Sequence, residues 1–205
     1  MTKEKYLEDL KDIKSIMERS SRFISLSGLS GVMAGLFALA GAYLAYQTVY
    51  QQQDYLSYRR ADMTPDNIIQ LLAIAIGVLV LSIGVGIIFT QRKAKKQGQK
   101  LWDSQSKRVV INMLIPLVAG GLVCLILLNN GFIGLITPLT LVFYGLALVN
   151  ASKYTLSDIR SLGILEIALG LIGCQYVGFG LILWVTGFGI LHIVYGIVMY
   201  VKYEK

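Results

Sequence analysis

The chain has 205 residues, of which 55% are hydrophobic and only 15% are charged. Soluble domains carry about 25% charged residues, so this composition argues against an ordinary soluble domain. The formal charge of +7 raises the question of nucleic-acid binding. However, the basic residues stand in gaps between apolar runs and show no aromatic interleaving, so no nucleic-acid partner is expected.

The first predicted element is an amphipathic helix within residues 1–22, which we assign to the cytoplasm. Its apolar stripe consists of Tyr6, Leu10, Ile13 and Met17, at spacings of three and four. The opposite face mixes both signs of charge and so lacks the Lys- and Arg-rich surface of a lipid-binding helix. Residues 3–19 therefore either pack under the membrane bundle or dock on a cytoplasmic protein partner or a second copy.

Six apolar segments follow, close to the length that crosses a hydrocarbon core of about 30 Å. They predict an all-α integral membrane protein with one six-helix transmembrane domain, residues 23–202, built as three hairpins. The lipid bilayer is then the first expected partner. The predicted spans are residues 23–49, 68–90, 109–128, 132–149, 162–177 and 181–201.

The placement of basic residues predicts how these spans are oriented. Seventeen of the 19 Lys and Arg residues fall in segments that six spans would place on one side of the membrane, and only Arg59 and Arg60 fall on the other. The positive-inside rule then predicts a multi-pass membrane protein with both termini cytoplasmic. Within the basic loop, the side chains expected to contact lipid headgroups are Arg92, Lys93, Lys95 and Lys96.

Small residues recur at helical spacing along the first predicted span. Ser27, Gly31 and Gly35 form this ridge, which Ala38 and Ala42 extend. Such a ridge lets two helix backbones approach closely, which matters where lipid provides no hydrophobic drive for helices to associate. The pattern predicts helix packing but leaves open whether the other helix belongs to the same chain or to a second copy, as in a homo-oligomer.

Two ionisable side chains lie deep in the last apolar stretch. Glu166 and His192 each stand thirteen residues from Phe179, where we place the turn of the final hairpin. Equal spacing puts them at the same depth on neighbouring helices, since a helix rises 1.5 Å per residue. A charged or ionisable group inside a span is costly and usually partnered or functional. Glu166 and His192 are therefore the candidate intramembrane polar site, with Tyr195, Gln175 and Asn112 available as partners.

Asn112 is singled out by its position four residues before Pro116. Proline has no backbone N–H, so the carbonyl of Asn112 loses its helical hydrogen-bond partner. The third span is therefore expected to contain a local polar network at Asn112, with a structural or a functional role.

No catalytic or metal-binding signature is present in the sequence. It contains a single histidine and neither an HExxH nor a GxSxG motif. The two cysteines, Cys124 and Cys174, lie apart within apolar runs and are expected to be buried thiols. We therefore predict a non-enzymatic protein with no catalytic residues, no metal ligands and no cofactor.

The last hairpin carries a resemblance to a known family. Its two helices contain the segments LGILEIALGLIG (162–173) and TGFGILHIVYGIVMY (186–200). This hairpin resembles the helix-hairpin repeats of HdeD-like acid-resistance proteins, which are small six-span proteins of the bacterial inner membrane. The resemblance implies a six-span bundle located in the bacterial cytoplasmic (inner) membrane and a role in stress response. The segment IMERSSRFISLSGLSG (16–31) is similar to the opening of other bacterial membrane proteins whose role is unknown.

Two functions remain open from the sequence. The first is a non-enzymatic membrane bundle that self-associates or binds a partner, in a stress-response or regulatory role. The alternative is a small proton-linked transporter or channel that uses Glu166 and His192.

Overall fold

A computed structural model describes residues 27–49, 64–96, 102 and 104–205. The described residues are 91% helical and contain no strand. The α-helices are α1 Gly28–Val49, α2 Pro65–Lys96, α3 Ser104–Asn129, α4 Ile136–Ala151, α5 Asp158–Gln175, α6 Gly180–Trp184 and α7 His192–Tyr203. Short 3-10 turns, Ile133–Leu135 and Val177–Phe179, precede α4 and α6, and a π-helix, Val185–Leu191, joins α6 to α7. The amphipathic helix predicted at residues 3–19 lies outside the described residues.

Five helices of the described chain are long and apolar enough to cross a membrane. They are Gly28–Thr48, Pro65–Lys96, Ser104–Asn129, Ile133–Ala151 and Val177–Tyr203. Helix α5, which holds most of the fifth predicted span, residues 162–177, is not among them. Its 18 residues include the three charged residues Asp158, Arg160 and Glu166, whereas each of the five contains an apolar 18-residue stretch with at most two charged residues.

The helices pack in an order that differs from three separate hairpins. Helix α2 lies on α1 and α3 lies on α4, as the first two predicted hairpins require. In the last hairpin, however, α5 packs mainly on α4, while α7 and the π-helix pack mainly on α1. The turn at Val177–Phe179 therefore joins two halves of the bundle, and Glu166 and His192 meet where these halves touch.

The first and last described helices begin and end at the same end of the bundle, which we call the basic end. The backbone N–H of Gly28 and the hydroxyl of Ser27 both donate hydrogen bonds to the carboxylate of Glu204. The ammonium of Lys93 lies 3.4 Å from the same carboxylate. Glu204 therefore binds the start of α1 and the last turn of α2 to the end of α7.

The ridge of small residues on α1 is used within the chain. A Cβ added at Gly31 would lie 3.2 Å from Cα of Gly196, and one added at Gly35 would lie 2.7 Å from the carbonyl oxygen of Gly189. Ser27 is buried at the start of this face. The structure therefore answers the question left open by the sequence, because the ridge packs on α7 and the π-helix of the same chain.

Gly196→Ala is expected to destabilise the bundle by about 1–3 kcal/mol, as overpacking does in well-packed cores. The added Cβ would lie 2.6 Å from the backbone nitrogen of Val32 and 2.7 Å from the carbonyl oxygen of Gly28. Backbone atoms cannot move aside without separating α1 from α7. Thermal unfolding in detergent measures the loss. Gly84→Ala is the matched control, because nothing lies within 4 Å of a Cβ there; equal losses in the two variants would contradict this packing.

Candidate functional site

Glu166 and His192 meet inside the bundle. Glu166 is fully buried, with 0% of its surface exposed, and His192 is 6% exposed. Nδ1 of His192 lies 3.4 Å from Oε1 of Glu166. Glu166 lies on α5 and His192 is the first residue of α7, so their contact joins the two halves of the bundle. The two residues lie at the same level of the bundle, as their equal spacing from Phe179 predicts.

The hydrogen bonds of His192 define which ring nitrogen carries the proton. Nδ1 lies 3.0 Å from the carbonyl oxygen of Gly187, and a carbonyl oxygen can only accept. Nδ1 is therefore the protonated nitrogen of the neutral ring. Nε2 lies 2.8 Å from the hydroxyl of Tyr144, so in the neutral ring Nε2 accepts a hydrogen bond that Tyr144 donates. Both ring nitrogens are satisfied without Glu166.

The carboxylate of Glu166 is not satisfied in the same way. Within the described part of the chain, neither of its oxygens has a hydrogen-bond partner. The hydrogen on Nδ1 of His192 is directed to Gly187, so the 3.4 Å approach of Nδ1 to Glu166 is a close contact without a hydrogen bond. A buried polar group without a partner costs about 1–3 kcal/mol, and more when it is charged. Native proteins keep such groups rarely, and often at functional sites.

Glycine at position 187 makes room for this carboxylate. A Cβ built on Gly187 would collide with Oε2 of Glu166 and would lie 2.7 Å from Cδ2 of Leu141. Gly187 belongs to the π-helix, and single π-helical turns inside α-helices occur frequently at functional sites. The wide turn therefore supplies both the space for Glu166 and the carbonyl that orients His192.

An aromatic row runs along the same helix toward the site. Trp184, Phe188 and His192 are spaced by four residues, and their ring centroids are 4.9 Å and 5.7 Å apart in turn. The ring of Tyr144 packs beside Phe188 at 4.8 Å. These rings exclude water from one side of His192 and hold it in place for its contact with Glu166. Tyr144, Gly187 and Phe188 are site residues that the sequence reasoning missed.

Two predicted partners lie elsewhere. Tyr195 packs against the apolar core cluster near the basic end and, among the described residues, makes no hydrogen bond to Glu166 or His192. Gln175 is the last residue of α5, far along the helix from Glu166. Neither residue therefore belongs to the Glu166–His192 contact, and including Tyr195 in the site is not supported by this geometry.

Asn112 forms a separate polar network between α3 and α4. Helix α3 continues through Pro116, and the Asn112 carbonyl freed by this proline accepts a hydrogen bond of 2.9 Å from Nδ2 of Asn150. The side-chain amide of Asn112 donates to the carbonyl oxygen of Arg108 at 2.8 Å. The network predicted at Asn112 is present, and its partner shows that it links two helices rather than serving the Glu166–His192 pair.

The predicted headgroup residues divide into two groups. Arg92, Lys95 and Lys96 are exposed in the last turns of α2, where a lipid headgroup can reach them. Lys93 is only 8% exposed and is paired with Glu204. The prediction that Lys93 contacts lipid headgroups is therefore wrong. Lys93 lies on the inward face of α2 beside the buried Thr90 and Ala94, and its ion pair with Glu204 links α2 to the end of α7.

A second carboxylate at the basic end is fully partnered. Asp158 is the first residue of α5, outside the apolar part of that helix. It accepts hydrogen bonds from the hydroxyl of Tyr203 at 2.6 Å and from the ammonium of Lys202 at 3.0 Å. These hydrogen bonds lower the pKa of Asp158 below its ordinary value, and the bond from the Tyr203 hydroxyl has a larger effect than the bond from the Lys202 ammonium. This cluster fixes the end of α7 to the start of α5.

Asp158→Asn is expected to lower the unfolding temperature by a few degrees at neutral pH and to have no effect in acid. A carboxyl whose folded pKa is lowered contributes stability above its ordinary pKa, and this contribution disappears as the pH falls through the folded pKa. Thermal unfolding of wild type and variant across a pH series measures the difference. A difference that grows toward acid pH would contradict the assignment.

The chemistry available to the site is proton binding. No group of three His, Cys, Asp or Glu side chains in the described ranges could hold a metal ion, and Cys124 and Cys174 are free thiols that are half buried. Glu166 can bind a proton on either unpartnered oxygen. His192 stands between Glu166 and Tyr144, with Nδ1 3.4 Å from the carboxylate and Nε2 2.8 Å from the hydroxyl, and imidazole is itself a group that can bind and release a proton.

The fold and the site together define a class: an all-helical bundle whose five long apolar helices are compatible with a multi-pass membrane protein. Comparison with protein-family models, with curated proteins and with solved structures finds no match for the chain. The resemblance of the last hairpin to HdeD-like proteins therefore stays a prediction.

Proposed function

We propose that the protein is a six-span, multi-pass protein of the bacterial cytoplasmic membrane with both termini in the cytoplasm. Two observations support six crossings. Helix α5 packs along α4 through Gly163 and Gly170, which approach Gly145 and Pro138 respectively, so it runs the same depth as α4. Its 18 residues rise about 27 Å at 1.5 Å each. In addition, α1 starts where α7 ends, at the basic end, as an even number of crossings requires.

Within this bundle, Glu166 and His192 are proposed to bind and release a proton during transport or conduction. The observation that carries the proposal is the fully buried Glu166 carboxylate without a hydrogen-bond partner among the described residues, beside an imidazole whose other nitrogen contacts a tyrosine. A purely structural carboxylate would gain by accepting hydrogen bonds. A carboxylate whose oxygens accept no hydrogen bond can instead take up a proton without breaking one, and carboxylates inside membrane spans occur in proton relays.

Proton flux into liposomes tests this function. Purified protein is reconstituted with a pH-sensitive dye inside the vesicles, and a potassium diffusion potential is applied with valinomycin. Wild type is expected to acidify the lumen faster than empty liposomes, and Glu166→Gln is expected to abolish the difference. Asp158→Asn is the matched control, because it removes a carboxylate outside the pair. Equal flux from wild type and Glu166→Gln, or no flux above empty liposomes from wild type, would contradict the proposal.

A bundle that self-associates or binds a partner is the second candidate, and the surface of α2 favours it. No residue in the most apolar 18-residue stretch of α2 is buried in the described chain. Disulfide cross-linking in a Cys124→Ala/Cys174→Ala background tests contact between copies. A cysteine at Ile76, which is exposed, is expected to cross-link if α2 is an interface. A cysteine at Val78, which faces Gly41 of α1, is the control that should not.

A further inference from the structure

A cavity of about 320 Å³ lies in the half of the bundle opposite the basic end. Its walls come from five helices: the second half of α1, the first half of α2, the end of α3, the start of α4, and α6. Small residues on α1, Gly41, Ala42 and Ala45, create the space on one wall. Trp184 closes the cavity on the side of the π-helix. The cavity is separate from the Glu166–His192 contact, which lies beyond Phe188 along the same helix.

The lining of the cavity is unsuited to water. Most of the lining side chains are aliphatic and none is charged; the others are Cys124, Thr137, Thr140 and Trp184. The hydroxyl of Thr140, one of the few polar groups there, already donates to the backbone carbonyl of Thr137 at 2.6 Å. A buried water needs two to four polar partners, and apolar cavities stay dry. An apolar cavity of about 150 Å³ binds benzene, so this larger cavity has room for a longer apolar group.

The cavity is open on one side, toward the surface that α2 and α3 present together. These two helices barely touch each other within the described chain, because α2 packs on α1 and α3 packs on α4. Lining residues on both helices are accessible from outside: Leu72 of α2 is 42% exposed and Leu125 of α3 is 58% exposed. In a membrane-spanning bundle, this opening faces the hydrocarbon interior of the bilayer rather than an aqueous phase.

We propose that the cavity is a binding site for one acyl chain of a membrane phospholipid, which enters between α2 and α3. The lining fits an acyl chain and not a headgroup, because it offers dispersion contacts along its length and no side chain of opposite charge to a phosphate or an amine. Phospholipid chains are also the apolar groups that surround the opening at the highest concentration. An empty apolar cavity of this size would lose the contacts that such a chain restores. The proposal does not depend on proton binding by Glu166.

Trp184 provides a fluorescence test. The chain has two tryptophans, so Trp102→Phe leaves Trp184 as the single reporter on the cavity wall. The protein is placed in nanodiscs of phosphatidylcholine whose acyl chains carry bromine, which quenches tryptophan on contact. Ala75→Leu fills the cavity from α2 and is expected to reduce the quenching about twofold or more, because the chain is excluded. Ala73→Leu adds the same side chain on the same helix outside the lining and is expected to change nothing.

Two further measurements test acyl-chain binding even if Ala75→Leu does not fold. Ala45→Leu fills the cavity from α1 and is expected to give the same loss of quenching. Native mass spectrometry of detergent-purified protein counts retained phospholipid, which is expected in wild type and in Ala73→Leu but not in the filled variants. Equal quenching in all variants, or wild type without retained phospholipid, would overturn the proposal.

Discussion

Glu166→Leu is expected to raise the stability of the bundle by about 1–3 kcal/mol while it abolishes proton binding. The gain is expected because the wild-type carboxylate is fully buried and its oxygens have no hydrogen-bond partner in the described chain. Removing one member of a buried ion pair usually costs about 3–5 kcal/mol, because the other member is left without a partner. Here His192 keeps Gly187 and Tyr144 as partners, so no charge or donor is stranded. Thermal or denaturant unfolding in detergent measures the change.

His192→Leu is the matched comparison for this experiment. It removes the partner of the Tyr144 hydroxyl and one donor to the Gly187 carbonyl, so it is expected to destabilise the protein by about 1–3 kcal/mol for the hydroxyl left unpaired. A gain in stability for Glu166→Leu together with a loss for His192→Leu would indicate a proton site rather than a structural ion pair. If both variants lost several kcal/mol, Glu166 would be a structural member of the pair.

Gly187→Ala is expected to destabilise the protein by about 1–3 kcal/mol or more and to impair proton flux at the same time. The added methyl group would collide with Oε2 of Glu166 and press on Leu141. Both neighbours are fully buried, so neither can move into free space. The methyl group must therefore displace the carboxylate from His192 or distort the π-helix. Unfolding and flux measurements on the same preparation report the two effects together.

A double variant shows whether the carboxylate itself is the obstacle. Glu166→Ala removes the oxygen that the new methyl group would meet, so Gly187→Ala is expected to cost less in the Glu166→Ala background than in wild type. The difference is a coupling energy of the kind that double-mutant cycles measure between contacting residues. Gly121→Ala is the control for helix propensity, because nothing lies within 4 Å of its Cβ. Additive effects of the two substitutions would show that Gly187 and Glu166 are not in contact.

The positions of the long helices were predictable because they depend on local composition. The run 68–90 predicts a span, and the structure has α2 at Pro65–Lys96. The network at Asn112 was also predictable, because proline removes a donor at a fixed offset in any helix. Its partner Asn150 was not, since nothing local in the sequence states which helix lies beside α3.

The candidate site was predicted in part. Equal distance from the turn at Phe179 places Glu166 and His192 at one depth, and the structure brings them within 3.4 Å. Tyr144 and Gly187 were missed because their role depends on the packing of α4 and on the π-helix. The π-helix shifts the face that the helix presents, so a regular period of 3.6 residues does not carry through it. The glycines at 187 and 189 were the available signal, in a chain where 21 glycines make any one hard to single out.

Lys93 shows that basic residues close together in sequence need not lie on one surface of a helix. Four basic residues within five positions predict a headgroup contact, but a helix turns through more than one full revolution over that length. Thr90, Lys93 and Ala94 share the inward face, and Glu204, more than a hundred residues later, is the partner that makes burial of the ammonium acceptable. A partner so distant in sequence can be identified only from the fold.

Infrared difference spectroscopy across a pH titration tests the proton site most directly. The protonated carboxyl of Glu166 gives a C=O stretching band that is absent from the carboxylate. We expect wild type to show such a band that appears and disappears with pH while the protein stays folded, and Glu166→Gln to lack it. A titration in which wild type and Glu166→Gln give the same carboxyl bands at every pH would contradict the account.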